Sequence, residues 1–114
     1  MQIPKPSESD RARFQALVPN DPRVAVKPMF GNLGAFVNGN MFMGLFGADI
    51  GVKLARADAD ELLATKGAGP FGPAERPMGG YVTLPTMGDR PVLDAWVARS
   101  LAYVASLPPK ATTK

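Results

Sequence analysis

The chain has 114 residues, a net charge of +3, 46% hydrophobic residues and neither cysteine nor histidine. That length suits one domain with one core, and the missing residue types exclude disulfides, thiolate metal sites, cysteine nucleophiles and imidazole acid–base chemistry. Basic and acidic residues are interspersed, so the positive charge forms no block that would neutralise several phosphates at once. The start, Met1-Gln2-Ile3-Pro4-Lys5-Pro6, lacks an apolar signal core, and no apolar run reaches the roughly 20 residues that span a bilayer. A soluble, unexported, cytoplasmic protein is expected.

Residues 1–6 carry two prolines and no periodicity, and are expected as a flexible lead-in. Ser7 is a candidate N-cap for a first helix with Phe14, Leu17 and Val18 on its buried stripe, ended by Pro19. After the turn residues Asn20-Asp21-Pro22, Val24 and Val26 alternate in a first strand, in which Pro28 fits an edge or strand end.

Asn38-Gly39 is a strong hairpin signal, because a type I′ turn needs positive φ at both central positions. The second strand is expected near Leu33 to Asn38, the third near Asn40 to Phe46 and the fourth over about Ile50 to Leu54, with further reversals at Gly31-Asn32 and Gly47-Ala48-Asp49. Adjacent runs should pair as an antiparallel meander. The third strand, with Met41-Phe42-Met43-Gly44-Leu45-Phe46, is apolar at both parities. Its two sides therefore both need cover, from helices or a returning loop on one account and from a protein partner on the other.

Asp58 and Glu61 have capping-box spacing for a second helix, with Leu62 and Leu63 on its buried side and Gly67 as its stop. A calcium loop is not indicated, since the required glycine and distant bidentate glutamate are missing. Gly67 to Gly80 is a long Gly/Pro loop that Phe71 or Met78 can pin to the core. Tyr81 to Leu84 is the fifth strand. The turn Thr86-Met87-Gly88 precedes a third helix, capped by Asp89, with Leu93, Trp96, Val97, Leu101 and Val104 at helical spacing and a stop at Pro108-Pro109. Residues 108–114 are expected as a flexible tail around a core of about 7–107.

Candidate chemistry is thin. Gly31-Asn32-Leu33-Gly34 lies between strands, where an RNA-clamping GXXG loop would join helices, and no lysine follows the glycines as in a phosphate loop. The serines have no imidazole base. No catalytic residue, cofactor site or metal site is expected.

The run Val26-Lys27-Pro28-Met29-Phe30-Gly31-Asn32-Leu33-Gly34-Ala35-Phe36-Val37-Asn38-Gly39-Asn40-Met41-Phe42 resembles the N-terminal domain of TfoX/Sxy-type competence regulators, in its Lys-X-Met-Phe-Gly signature, its Gly-aromatic strand and its turn into Met-Phe. Val52-Lys53-Leu54, Phe71, Pro77-Met78, Tyr81 to Pro85 and Trp96 extend the resemblance over about residues 9 to 107. It implies a two-layer α+β fold, a single antiparallel sheet with helices, and a part in bacterial gene regulation in place of catalysis; the elements read along the chain give the order α-β-β-β-β-α-β-α, and a stand-alone domain is expected.

Two functional expectations follow. The first is a protein-interaction module that contacts a partner or a second copy through Met29, Phe30, Gly31, Met41, Met43 and Leu45. The second is weak nucleic-acid binding through Lys27, Lys53, Arg56 and Arg76.

Overall fold

The computed structural model describes residues 4–29, 31–73, 75–85 and 88–109. The expected turn at Thr86-Met87 and most of the expected C-terminal tail, Lys110 to Lys114, lie outside the described residues. Helix α1 spans Glu8–Leu17 and begins with a reciprocal cap: the Ser7 hydroxyl accepts from the Asp10 amide at 3.0 Å, and the Asp10 carboxylate accepts from the Ser7 amide at 2.9 Å. Hydrogen bonding from the Ser7 amide, and then from its hydroxyl, holds the Asp10 carboxyl below its ordinary pKa. Ahead of the helix, the described part of the lead-in is tied down: Pro6 is buried and the Pro4 carbonyl accepts from Asn32 Nδ2 at 3.1 Å.

Four strands follow as an antiparallel meander, β1 (Val24–Met29), β2 (Asn32–Val37), β3 (Asn40–Phe46) and β4 (Asp49–Lys53). The hairpin at the Asn-Gly pair has φ of 54° at Asn38 and 81° at Gly39, both in the left-handed region that a type I′ turn demands. Strand β1 is an edge strand, which is why Pro28 costs the sheet little.

After β4 the chain forms α2 (Arg56–Leu63), returns as β5 (Gly69–Pro70) and β6 (Tyr81–Thr83), and ends in α3 (Arg90–Ala105). The sheet has six strands in the order β1-β2-β3-β4-β6-β5, one more than the sequence suggests. The additional strand is two residues of poor strand propensity. It forms because Gly69 and Pro70 pair with Thr83 and Val82, while the Thr83 hydroxyl donates to the Pro70 carbonyl at 2.8 Å. As an edge residue Pro70 leaves no interior ladder bond unmade.

Four local expectations need correction. Helix α2 starts two residues before Asp58, with Ala55 at its N-cap and no side-chain cap; Asp58 sits in the first turn, 3.6 Å from Arg99 of α3. Leu63 is 44% exposed, so Leu62 alone carries the buried side, and the helix stops at Leu63 well before Gly67. Asp89 occupies the N-cap of α3 but its side chain makes no capping bond; Pro91 in the first turn, which lacks the N–H, reduces what there is to cap.

The helices lie on one side of the sheet, giving two layers. Helix α3 packs across β2, β3 and β4, α1 packs on α3, and α2 packs on β6. Phe14, Val37, Met43, Val52, Leu62, Val82, Val97 and Val104 are at most 2% exposed in the one core between the layers. Arg99 reaches across the helices, its guanidinium 4.6 Å from the Trp96 ring centre and 3.4 Å from the Glu61 carboxylate.

The β2–β3 ladder contains one irregularity. Ala35 pairs with Met43 and Phe36 with Met41, so Phe42 is an extra residue on β3. Phe42 and Met43 are both fully buried in the core. Met41, which would share a side with Met43 in a regular strand, is turned to the sheet's other face.

Candidate functional site

That outer face, which no helix covers, is built on an alignment of glycines. Gly34 of β2 pairs with Gly44 of β3, and Gly44 with Gly51 of β4, so three neighbouring strands lack side chains at one level. The resulting trough is filled from its sides. A Cβ on Gly51 would lie 2.3 Å from the Phe71 ring, and one on Gly34 would lie 3.0 Å from both the Met29 and the Met41 sulfur. At Gly44 the two fillers meet: a Cβ there would be 3.2 Å from the Met41 methyl and 3.3 Å from Phe71. Strand-interior glycines commonly mark this kind of close approach.

Phe71 belongs to the loop after β5 and is 2% exposed. Its ring meets Phe46 edge-on at 6.3 Å between centres and Tyr81 at 6.1 Å. The Tyr81 hydroxyl crosses β4 to donate to the Met41 carbonyl at 2.7 Å, and burial pushes its pKa up. The loop is thereby pinned as the sequence suggests, through Phe71.

Between this loop and β3 an open pocket of about 320 Å³ remains, lined by Met29, Asn32, Leu33, Met41, Gly44, Leu45, Phe46, Phe71, Pro73 and Met78. Asn32 is its one polar side chain, and each of its polar atoms has a partner within the chain: Nδ2 donates to the Pro4 carbonyl, and Oδ1 accepts from the Gly47 amide at 2.8 Å. No acid, base or nucleophile points into the space among the lining residues. Nor do the described residues contain a group of three carboxylates able to hold a metal ion.

Of the expected interaction residues, Met29 and Met41 line the pocket. Met43 is fully buried under α3 and offers no surface, because the bulge at Phe42 assigns it to the core. Leu45, 3% exposed, is a core residue that also borders the pocket. Gly31, with φ of 82°, turns the chain between β1 and β2 outside the lining, and Phe30 lies outside the described residues. Phe46, Pro73 and Met78 are pocket residues that the sequence did not nominate. The in-strand glycines were the available signal, since each is an unusual choice for a strand interior.

The four basic candidates do not converge. Lys27 sits in the edge strand with its ammonium 5.4 Å from the Phe36 ring centre, and Lys53 sits in β4, 5.6 Å from the Tyr81 ring centre. Three strand spacings separate those strands, about 14 Å. Arg56 opens α2 and Arg76 lies in the loop before β6, both exposed.

No helix among the described residues is long and apolar enough to cross a membrane. In comparison with known proteins, the family model described as TfoX N-terminal domain matches residues 13–104. Neither a curated protein nor a solved structure matches the chain.

Proposed function

The chain belongs to the TfoX N-terminal domain family, a regulatory, non-enzymatic type of domain, and we propose on that basis that it acts as a bacterial cytoplasmic module that works by protein contact. The observation that carries this is the apolar pocket on the sheet face left bare by the helices. Met29, Met41 and Met78 are half-buried around it. Flexible thioether side chains can repack around an incoming apolar group, which is why methionine is frequent on adaptable binding surfaces. A partner that inserts one bulky apolar side chain beside Phe46 and Phe71 satisfies this arrangement, and a second copy of the chain is the simplest such partner.

Light scattering over a concentration series tests the second-copy version, which predicts a dimer weakened by Met78→Asp. A strict monomer removes that version. The heterologous version is tested with helical peptides selected by display against the intact protein. Binding peptides should carry a bulky apolar residue and should lose affinity with Met78→Asp; selected peptides indifferent to that change overturn the proposal. Weak nucleic-acid binding rests on the positive net charge and the regulatory character of the family, and absence of DNA binding at low salt removes it.

A further inference from the structure

We infer that Met29, Met41 and Met78 form a reversible oxidation site, at which hydrogen peroxide converts thioethers to sulfoxides and turns the bare sheet face from apolar to polar while the fold stays intact. In that step a sulfur lone pair takes one peroxide oxygen, so that the O–O bond breaks and an S–O bond forms. The hydroxide left behind removes the proton from the transferred oxygen and departs as water; sulfur loses two electrons and the peroxide gains them. Position decides which methionines react. Met29, Met41 and Met78 are half-buried around the open pocket and lie outside the core cluster, whereas Met43 is 0% exposed and belongs to it. The Met29 and Met41 sulfurs share the space over the bare backbone of Gly34, each 3.0 Å from where its Cβ would be, on the face that no helix covers. Oxygen can be added to these side chains without opening the core between the layers.

The effect on the surface follows from the lining. A sulfoxide oxygen is a hydrogen-bond acceptor that the flexible apolar thioether is not. Asn32 keeps one amide N–H beyond the one it gives to the Pro4 carbonyl, and no other lining side chain carries a donor. One N–H cannot serve three sulfoxides. The others depend on water, which an apolar partner side chain would strip away without replacement. Oxidation therefore closes this face to the protein contact proposed above. That regulatory half rests on the contact reading; the site of oxidation and the change in surface polarity do not, because both can be read on the isolated protein.

Treatment of the full chain with hydrogen peroxide, followed by peptide mass mapping, is the test. Met29, Met41 and Met78 should each gain one oxygen at least tenfold faster than Met43, whose survival reports an intact core. Met1 and Met87, outside the described residues, are mapped separately. Retention of the native protein on a phenyl column should fall on oxidation, and the two methionine sulfoxide reductases, one for each sulfoxide epimer, should restore it. Peroxide should not alter the retention of the Met29→Leu, Met41→Leu, Met78→Leu triple variant. Oxidation of Met43 at the same rate as the other three overturns the inference, as does full conversion of the three with retention unchanged. Affinity for the second copy or for selected peptides should drop at least tenfold on oxidation; full conversion without that drop overturns the regulatory half and leaves the contact reading standing. Selective oxidation with the retention change, in a protein that neither dimerises nor binds selected peptides, supports the modification site and rejects the contact reading together with its regulation.

Discussion

The hydroxyl of Ser100, fully buried in the middle of α3, donates a hydrogen bond of 2.6 Å to the backbone carbonyl of Phe42 in β3. Phe42 is the extra residue of the bulge, without a partner of its own in the β2 register. The helix thus supplies from its side chains what the interrupted ladder does not, and locks α3 to the sheet at the point where the strand changes which residues it sends inward. Ser100→Ala should cost about 1–3 kcal/mol in urea unfolding, the usual penalty for stranding a buried acceptor. An unchanged midpoint would mean that the Phe42 carbonyl finds another donor.

Gly51 and Phe71 form a second coupled pair. The backbone of Gly51 is ordinary strand, so alanine there is opposed by the ring alone, 2.3 Å from where its Cβ would sit. Gly51→Ala should destabilise the protein by expelling the ring, and Phe71→Ala should cost about 3–5 kcal/mol through the lost aromatic burial. Together the two changes should cost clearly less than their sum, since the new methyl enters space the ring has left. Strict additivity in denaturant titrations would show that the ring does not rest on Gly51.

Asn32 joins three parts of the chain through one side chain. Its carbonyl oxygen accepts from the buried amide of Gly47, and its amide nitrogen holds Pro4. Asn32→Ala should lower stability by about 1–3 kcal/mol and free the segment before α1, seen as a fall in the heteronuclear NOE of the Lys5 amide. Asn32→Asp should keep the Gly47 bond but set a buried carboxylate against the Pro4 carbonyl, so it should free Lys5 at a stability cost at least as large as that of Asn32→Ala.

The pH response has a specific sign at Asp21. The Arg23 side chain and amide both donate to its carboxylate, holding its pKa down at about 2 from an ordinary 3.8. Because the folded value lies below the unfolded one, the stabilisation is complete above about pH 4 and is lost as the pH falls through about 2. Carboxyl-detected NMR should place the Asp21 midpoint near 2, and Arg23→Ala should return it toward 3.8. A midpoint near 3.8 in the unaltered protein would show that the turn pair is not kept in solution.

The family match is consistent with what the Val26 to Phe42 run suggests, and most elements could be read along the chain. Ser7 as a cap, the Asn38-Gly39 turn, the limits of β3 and the proline ends of α1 and α3 rest on interactions within a few residues, which a linear pattern displays. Helix α2 was misplaced because Asp58 and Glu61 imitate a cap whose oxygen is drawn instead toward Arg99, distant in sequence. Strand β5 was missed because only its pairing with β6 makes Gly69 and Pro70 extended.

The sequence by itself determined the meander, the helices that cover one side of it and the absence of imidazole and thiol chemistry. Tertiary structure decided which methionines face outward. One surplus residue at Phe42 reverses the parity of β3, consigning Met43 to the core and presenting Met41 at the pocket. The pairing register then brings Gly34, Gly44 and Gly51 to one level, and the trough exists only because these three, far apart along the chain, meet across the strands. Side-chain direction alternates with every residue, so a single-residue offset set by packing decides which face becomes a site.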